Sequence, residues 1–366
     1  MPQIFQFSHT PVHSHSFSHD RSILAITKET DVEVYNVSNP KQPKLITTLK
    51  DHDKTVTAVD ISIHGRIVTC SQDRNAIVWE PLSDGSYKPT LVLLRINRSA
   101  TSVKWSPNGY KFAVGSSARV IAVCYFEHEN DWWISKHIKK PIRSTILSIE
   151  WHPNNVLLAA GSSDGHARVF SGFIKGIDEK PSTASLWGQK FPFNTLVGDF
   201  VSSNGGWVHD VAFTPSGDAL AFVAHDSTVT VVYPNGGEGT PPKSILSVST
   251  SFLPFTSVFF ANESTLIAAG HNCHPVVFKG DETEWFEDHS IDDPNKNSTH
   301  ESGETSALNM FKQLDLKGTV SGQNGSTLKT IHQNTITQLR PYESQGENVF
   351  RFSSSGIDGR IVIFDV

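Results

Sequence analysis

Residues 66–80 read RIVTCSQDRNAIVWE: an apolar run that starts after Arg66, a polar break from Ser71 to Asn75 carrying Asp73, and a second apolar run ending on Trp79. Short runs rich in Val and Ile, separated by turn formers, read as two strands of one sheet joined by a tight turn. The word recurs along the chain. Its last strand returns as VEVYN from Val32, AIVWE from Ala76, VIAVCYF from Val120, HARVF from His166, TVTVVY from Thr228, HPVVF from His274 and RIVIFDV from Arg360. The turns in front of these strands carry Asp31, Asp73, Ser117-Ala118, Asp164, Asp226, Asn272 and Asp358, mostly the short polar side chains that tight turns favour. Repetition at this spacing outranks any local motif, and seven copies mean seven units.

The strands before the turns, such as KFAVGS from Lys111, VLLAAGS from Val156 and TLIAAG from Thr265, are continuously apolar, as expected where both faces of a sheet are covered. Four-stranded blades stacked around an axis provide that cover without helices, so the expected fold is all-β, a single seven-bladed β-propeller over residues 1–366. The seventh unit stops at RIVIFDV, its third strand, while the N-terminus begins with a spare strand, PQIFQFS. Ile4 to Phe7 is expected to complete the last blade and so close the ring through backbone hydrogen bonds.

Two steps of the repeat, from Asp164 to Asp226 and from Asn272 to Asp358, are longer than the others and mark insertions at 171–194 in blade four and 292–330 between blades six and seven. The second opens with a polar Ser/Thr/Asn-rich tract and continues as TSALNMFKQLDL from Thr305 to Leu316. Ala307, Leu308, Phe311 and Leu314 fall on one face of a short amphipathic helix that Gly318 ends. Such a helix either docks on its own propeller or offers its apolar face to a partner.

With 37% hydrophobic and 19% charged residues the chain has the composition of a folded protein. A net charge of −6 argues against a general grip on nucleic acid or anionic membrane. Against that balance, Arg95, Arg98, Lys136, Lys139, Lys140 and Arg143 form a local basic group over blades two to four, without the interleaved aromatics of an RNA-binding surface. Cys70, Cys124 and Cys273 make no C-x-x-C pair, no apolar run nears the roughly 18 residues of a membrane span, and the start has no signal-peptide pattern, so a cytosolic protein is expected.

Three catalytic readings fail on context. Gly161 to Gly165 spells G-x-S-x-G, but a nucleophile elbow needs a helix after it and here HARVF, a strand, follows. His9, His13, His15 and His19 lack accompanying acidic or thiolate ligands. His52, Asp73 and Ser71 mimic a triad, yet a network buried away from solvent cannot serve a substrate. No catalytic residue, metal or cofactor is expected.

The stretch from Asp51-His52 to SQDRNAIVW resembles the WD repeat, a family in which groups matching His52, Asp73, Trp79 and a hydroxyl, Ser71 or Thr69, form a structural hydrogen-bond network. Longer runs are more specific. CYFEHENDWW from Cys124, WHPNNVLLAAG from Trp151, LWGQKFPFNTL from Leu186, GGWVHDVAFTPSG from Gly205, AHDSTV from Ala224 and FKQLDLKG from Phe311 resemble the forty-kilodalton WD-repeat subunits (subunit 1) of the actin-related protein 2/3 complex. The resemblance spans the whole chain and implies a non-catalytic scaffold for actin nucleation and branching, located on the actin cytoskeleton. It further implies that the basic group contacts neighbouring subunits and that the late helix meets the actin filament or a nucleation-promoting factor. The alternatives are a generic WD-repeat adaptor, which would share the fold but not these runs, and a propeller hydrolase, which would need convergent acids or metal ligands at the channel mouth.

Overall fold

The computed structural model describes residues 2–7, 9–179, 185–189, 191–236, 240–293 and 328–366. Its strands form seven antiparallel four-stranded sheets. Six blades take their strands consecutively; blade two, for example, is Val56–Ile61, Ile67–Ser71, Ala76–Pro81 and Tyr87–Val92. The seventh sheet orders Gln3–Gln6 beside Arg360–Asp365, Asn348–Gly356 and Ile336–Gln345, with Phe5 opposite Ile361. The N-terminal strand therefore closes the last blade. It ends one residue earlier than the sequence suggests, leaving Phe7 half-buried against Tyr35 while Phe5 is buried.

Each first strand touches the first strands of both neighbouring blades, so these strands line a central channel. The second and third strands are buried throughout most of their length, which explains why their sequences lack alternation. Seven apolar clusters fill the seams, one per pair of adjacent blades, so the core is a ring and not a single ball.

Six first strands carry a register shift near their start, which leaves one residue outside the ladder. In four blades that residue is a threonine whose hydroxyl donates to a carbonyl of the next blade: Thr57 to Ala100 O at 3.1 Å, Thr101 to Ile146 O at 2.7 Å, Thr256 to Ile336 O at 2.5 Å and Thr337 to Val12 O at 2.7 Å. A repeated bulge thus becomes a repeated stitch.

The chain between His166–Ser171 and Leu196–Val201 is the extra segment of blade four. Lys111 Nζ, on blade three, donates to Gly172 O at 2.8 Å and pairs with Asp178, both side chains buried, while the Trp151 ring lies 4.7 Å from the ammonium. Burial draws the Lys111 ammonium down to about 8, with Asp178 opposing the shift. The amphipathic segment expected at Thr305 to Leu316, with Ala307, Leu308, Phe311 and Leu314, lies outside the described residues, and no helix occurs among the described residues.

Candidate functional site

Strands alternate in direction within a blade, so the turns between second and third strands emerge on the same face as the links from each outer strand to the next inner one. Arg95 and Arg98 lie on the link from Tyr87–Val92 to Ala100–Trp105, and Lys139, Lys140 and Arg143 on the link from Trp132–Ile138 to Ile146–Trp151. The fold thus brings five of the six sequence-predicted cations to one face over blades two to four. Lys136 sits on the outer strand Trp132–Ile138 at the rim, its ammonium 5.5 Å from the Tyr125 ring and 5.9 Å from the Phe193 ring, a cation–π placement.

All six are exposed, and among the described residues none of them makes an ion pair. Two further arginines join this face. Arg74 and Arg119 occupy the left-handed position of the turns in blades two and three, at φ 76° and 60°, where blades four and seven have Gly165 and Gly359. A non-glycine residue there costs of order 1 kcal/mol, so these turns hold arginine at some expense to the backbone. Sequence reasoning missed both: glycine holds that position in blades four and seven, but Ser227 and Cys273 hold it in blades five and six, so residue type gave no signal.

The residues of the proposed structural network meet in blade two. His52 Nδ1 is 2.7 Å from Asp73 Oδ2, His52 Nε2 is 2.8 Å from Thr69 Oγ1, and Trp79 Nε1 donates to the same hydroxyl at 3.0 Å. The hydroxyl partner is Thr69. Ser71 instead donates to Lys54 O at 2.8 Å. Blade seven repeats the arrangement: His332 Nδ1 lies 3.1 Å from Asp358 Oδ1 and Nε2 lies 2.7 Å from Ser354 Oγ, with Phe364 in the place of the tryptophan. This second network went unread because Phe364 has no N–H and a longer hairpin puts His332 26 residues before Asp358, against 21 between His52 and Asp73.

The other tempting residues have local tasks. Ser163, the central serine of Gly161 to Gly165, is partly buried and shares a 2.5 Å hydrogen bond with Ser144; a free turn serine was expected to be exposed, and it is not. His15 is buried on the first strand of blade one with Nε2 at 2.8 Å from Ser353 Oγ, whereas His9, His13 and His19 lie more openly along the same segment. No group of three metal-ligating side chains converges among the described residues. Within the same residues, no helix is long and apolar enough to cross a membrane.

The profile of the WD domain, G-beta repeat family matches residues 43–80 and 135–171. Over its whole length the chain is 53% identical to actin-related protein 2/3 complex subunit 1 of Saccharomyces cerevisiae, covering 99% of this chain and 97% of that one. It is 48% identical to the protein of that name in Schizosaccharomyces pombe, at 99% and 98% coverage, and 48% identical to subunit 1A-B of Xenopus laevis, at 99% and 96%.

Proposed function

This chain belongs to the family of subunit 1 of the actin-related protein 2/3 complex, and we propose that it serves in such a complex as a non-catalytic scaffold supporting actin filament nucleation and branching. The observation that carries the reading is the exposed, unpaired cation group over blades two to four of an acidic chain. Uncompensated charge of one sign on a rigid face steers and orients a complementary partner. Arg95, Arg98, Lys139, Lys140 and Arg143 contact neighbouring subunits, and the buried polar side chains hold blades to each other in place of meeting a substrate. Ala307, Leu308, Phe311 and Leu314 of the late insertion meet the actin filament or a nucleation-promoting factor. The protein works in the cytoplasm, on the actin cytoskeleton, without cofactor or nucleic acid.

Two experiments test this. Replacing Lys139, Lys140 and Arg143 together by Glu is expected to strip neighbouring subunits from the purified assembly while leaving the chain's own thermal midpoint unchanged; undiminished co-purification would refute the subunit contact. Phe311→Ala with Leu314→Ala is expected to spare assembly and weaken branch formation, and normal branching by an intact variant complex would refute the partner role of the insertion.

A further inference from the structure

On the face opposite the cation group, where the first strands of blades seven, one, two and three run out, a cavity of about 200 Å³ opens into the channel. Arg21, Lys104 and Arg340 line it, together with Ser16, Ser62 and a single carboxylate, Asp60. That carboxylate is already occupied. Asp60 Oδ1 accepts from Arg340 Nη1 at 2.5 Å and from Ser16 Oγ at 3.2 Å, and Oδ2 accepts from Trp105 N at 2.8 Å.

The cations are not equally satisfied. Lys104 pairs at 2.8 Å with Glu150 on the first strand of the adjacent blade four. Arg21 makes no ion pair among the described residues; it donates to Ser18 O at 3.3 Å and lies 5.6 Å from the Tyr342 ring. The Nε of Arg340 is buried without a hydrogen-bond partner, and so is Nδ1 of His15 beside it. An unpaired buried guanidinium N–H is costly, and an acceptor delivered to it recovers that cost.

The channel is also polarised. A neighbouring cavity of about 460 Å³ shares Lys104 and is lined by the acids Glu150, Asp210 and Glu347, whereas in the smaller cavity the cations Arg21, Lys104 and Arg340 outnumber the lining carboxylate Asp60. The His15 imidazole registers this: burial first, then the charges of Arg340 and Lys104, hold it well below its ordinary protonation range.

We propose that this cavity is an anion-binding site that takes a phosphate group, with Arg21 and Lys104 as its point charges, Arg340 Nε as a directional donor and Ser62 as a hydroxyl donor. Phosphate fits better than carboxylate because donors converge from four blades and outnumber the two oxygens that a carboxylate presents. The space admits a phosphate with little attached to it, being smaller than the usual 300–1,000 Å³ or so of a drug-sized pocket. The site lies apart from the proposed subunit contacts, so its occupancy is independent of them.

The test is isothermal titration of the full-length chain with inorganic phosphate, with inositol trisphosphate and, as a carboxylate control, with citrate. Saturable phosphate binding is expected, weakened at least tenfold in Arg21→Gln and in Lys104→Gln. The hydrogen bond of Arg21 to Ser18 O is local and its one ring contact with blade seven, at Tyr342, lies at the cavity rim, so the variant is expected to keep the fold, which an unchanged thermal midpoint without ligand verifies. Equal affinities for the two phosphates would mark a free phosphate site; a tighter trisphosphate would mark a phosphate ester whose body extends into the larger cavity. Absence of saturable binding, citrate binding as tightly as phosphate, or undiminished binding by a folded Arg21→Gln variant would each overturn the proposal. Broadening of the phosphate phosphorus resonance by wild-type protein, absent with Arg21→Gln, provides an independent reading.

Discussion

The seam between blades two and three and the seam between blades four and five do the same job with different chemistry. Between two and three, the bulged Thr57 donates to Ala100 O and Asp60 accepts from Trp105 N, so the first strands are joined side chain to backbone. Blade four has Leu147 where blade two has Thr57, and Glu150 at the position of Asp60 reaches back to Lys104 and away from blade five. There the join shifts outward to one carbonyl. Gly217 O accepts from His152 Nε2 at 3.0 Å and from Trp187 Nε1 at 2.7 Å, and the Trp187 ring meets Phe200 and Phe213 edge-on. Gly217 sits at φ 84°, and a Cβ on it would fall 2.1 Å from His152 Nε2, so only glycine gives both rings access to that oxygen. Beside its apolar cluster, the first seam spreads its polar joins over several hydrogen bonds of moderate worth. The second concentrates them in one aromatic supplied by an insertion.

The largest effect is therefore expected at the second seam. Trp187→Ala should cost about 3–5 kcal/mol of unfolding free energy in urea titrations, whereas Trp187→Phe, which keeps the ring packing and loses the N–H, should cost about 1 kcal/mol. Equal losses would mean that the hydrogen bond and not the packing holds the seam. At the polar seam, Asp60→Ala should cost about 1–3 kcal/mol, because it leaves the Trp105 N–H and the Arg340 guanidinium without their acceptor. A loss matching that of Trp187→Ala would erase the contrast.

Acid should separate the seams further. Burial holds His152 down to about 4, with its bonds to Gly217 and Asn154 opposing the shift; His209 is also held to about 4, by burial and then by His225 and His271. A histidine whose folded value is depressed binds fewer protons folded than unfolded between the ordinary 6.5 and that lower value, so stability is full above 6.5 and falls as pH drops through the window. Each such group contributes a slope of up to about 1.4 kcal/mol per pH unit. His152→Gln should flatten the thermal midpoint's decline between pH 6.5 and 4; an unchanged decline would assign the acid sensitivity elsewhere. The smallest effect is expected from Thr57→Val, about 0.5–1.5 kcal/mol for one lost interblade hydrogen bond, readable as a midpoint shift in the same urea titration.

Much of this architecture was legible beforehand. The apolar runs, the turn residues before Val32, Ala76 and Arg360, and the spare N-terminal strand sufficed for seven blades and the clasp. The WD-like word placed His52, Asp73 and Trp79 in one candidate network. The basic group could be named but not oriented, because only alternation of strand direction puts Arg95 and Lys139 on a common face. Arg74 and Arg119 were passed over, since the left-handed turn position is held by Arg, Gly, Ser or Cys from blade to blade and is not written in residue type.

By itself the sequence determined what depends on neighbours along the chain: where strands run, where they turn, how many blades there are and which blade lacks a strand. Those follow from local sterics and from the pattern of apolar side chains, both readable within a dozen residues. Only the tertiary structure decided which polar groups meet. Asp60 and Arg340 are 280 residues apart, and Lys111 and Asp178 belong to different blades. Pairing and desolvation depend on distance through space and on what excludes water, and closing the ring fixes both at once.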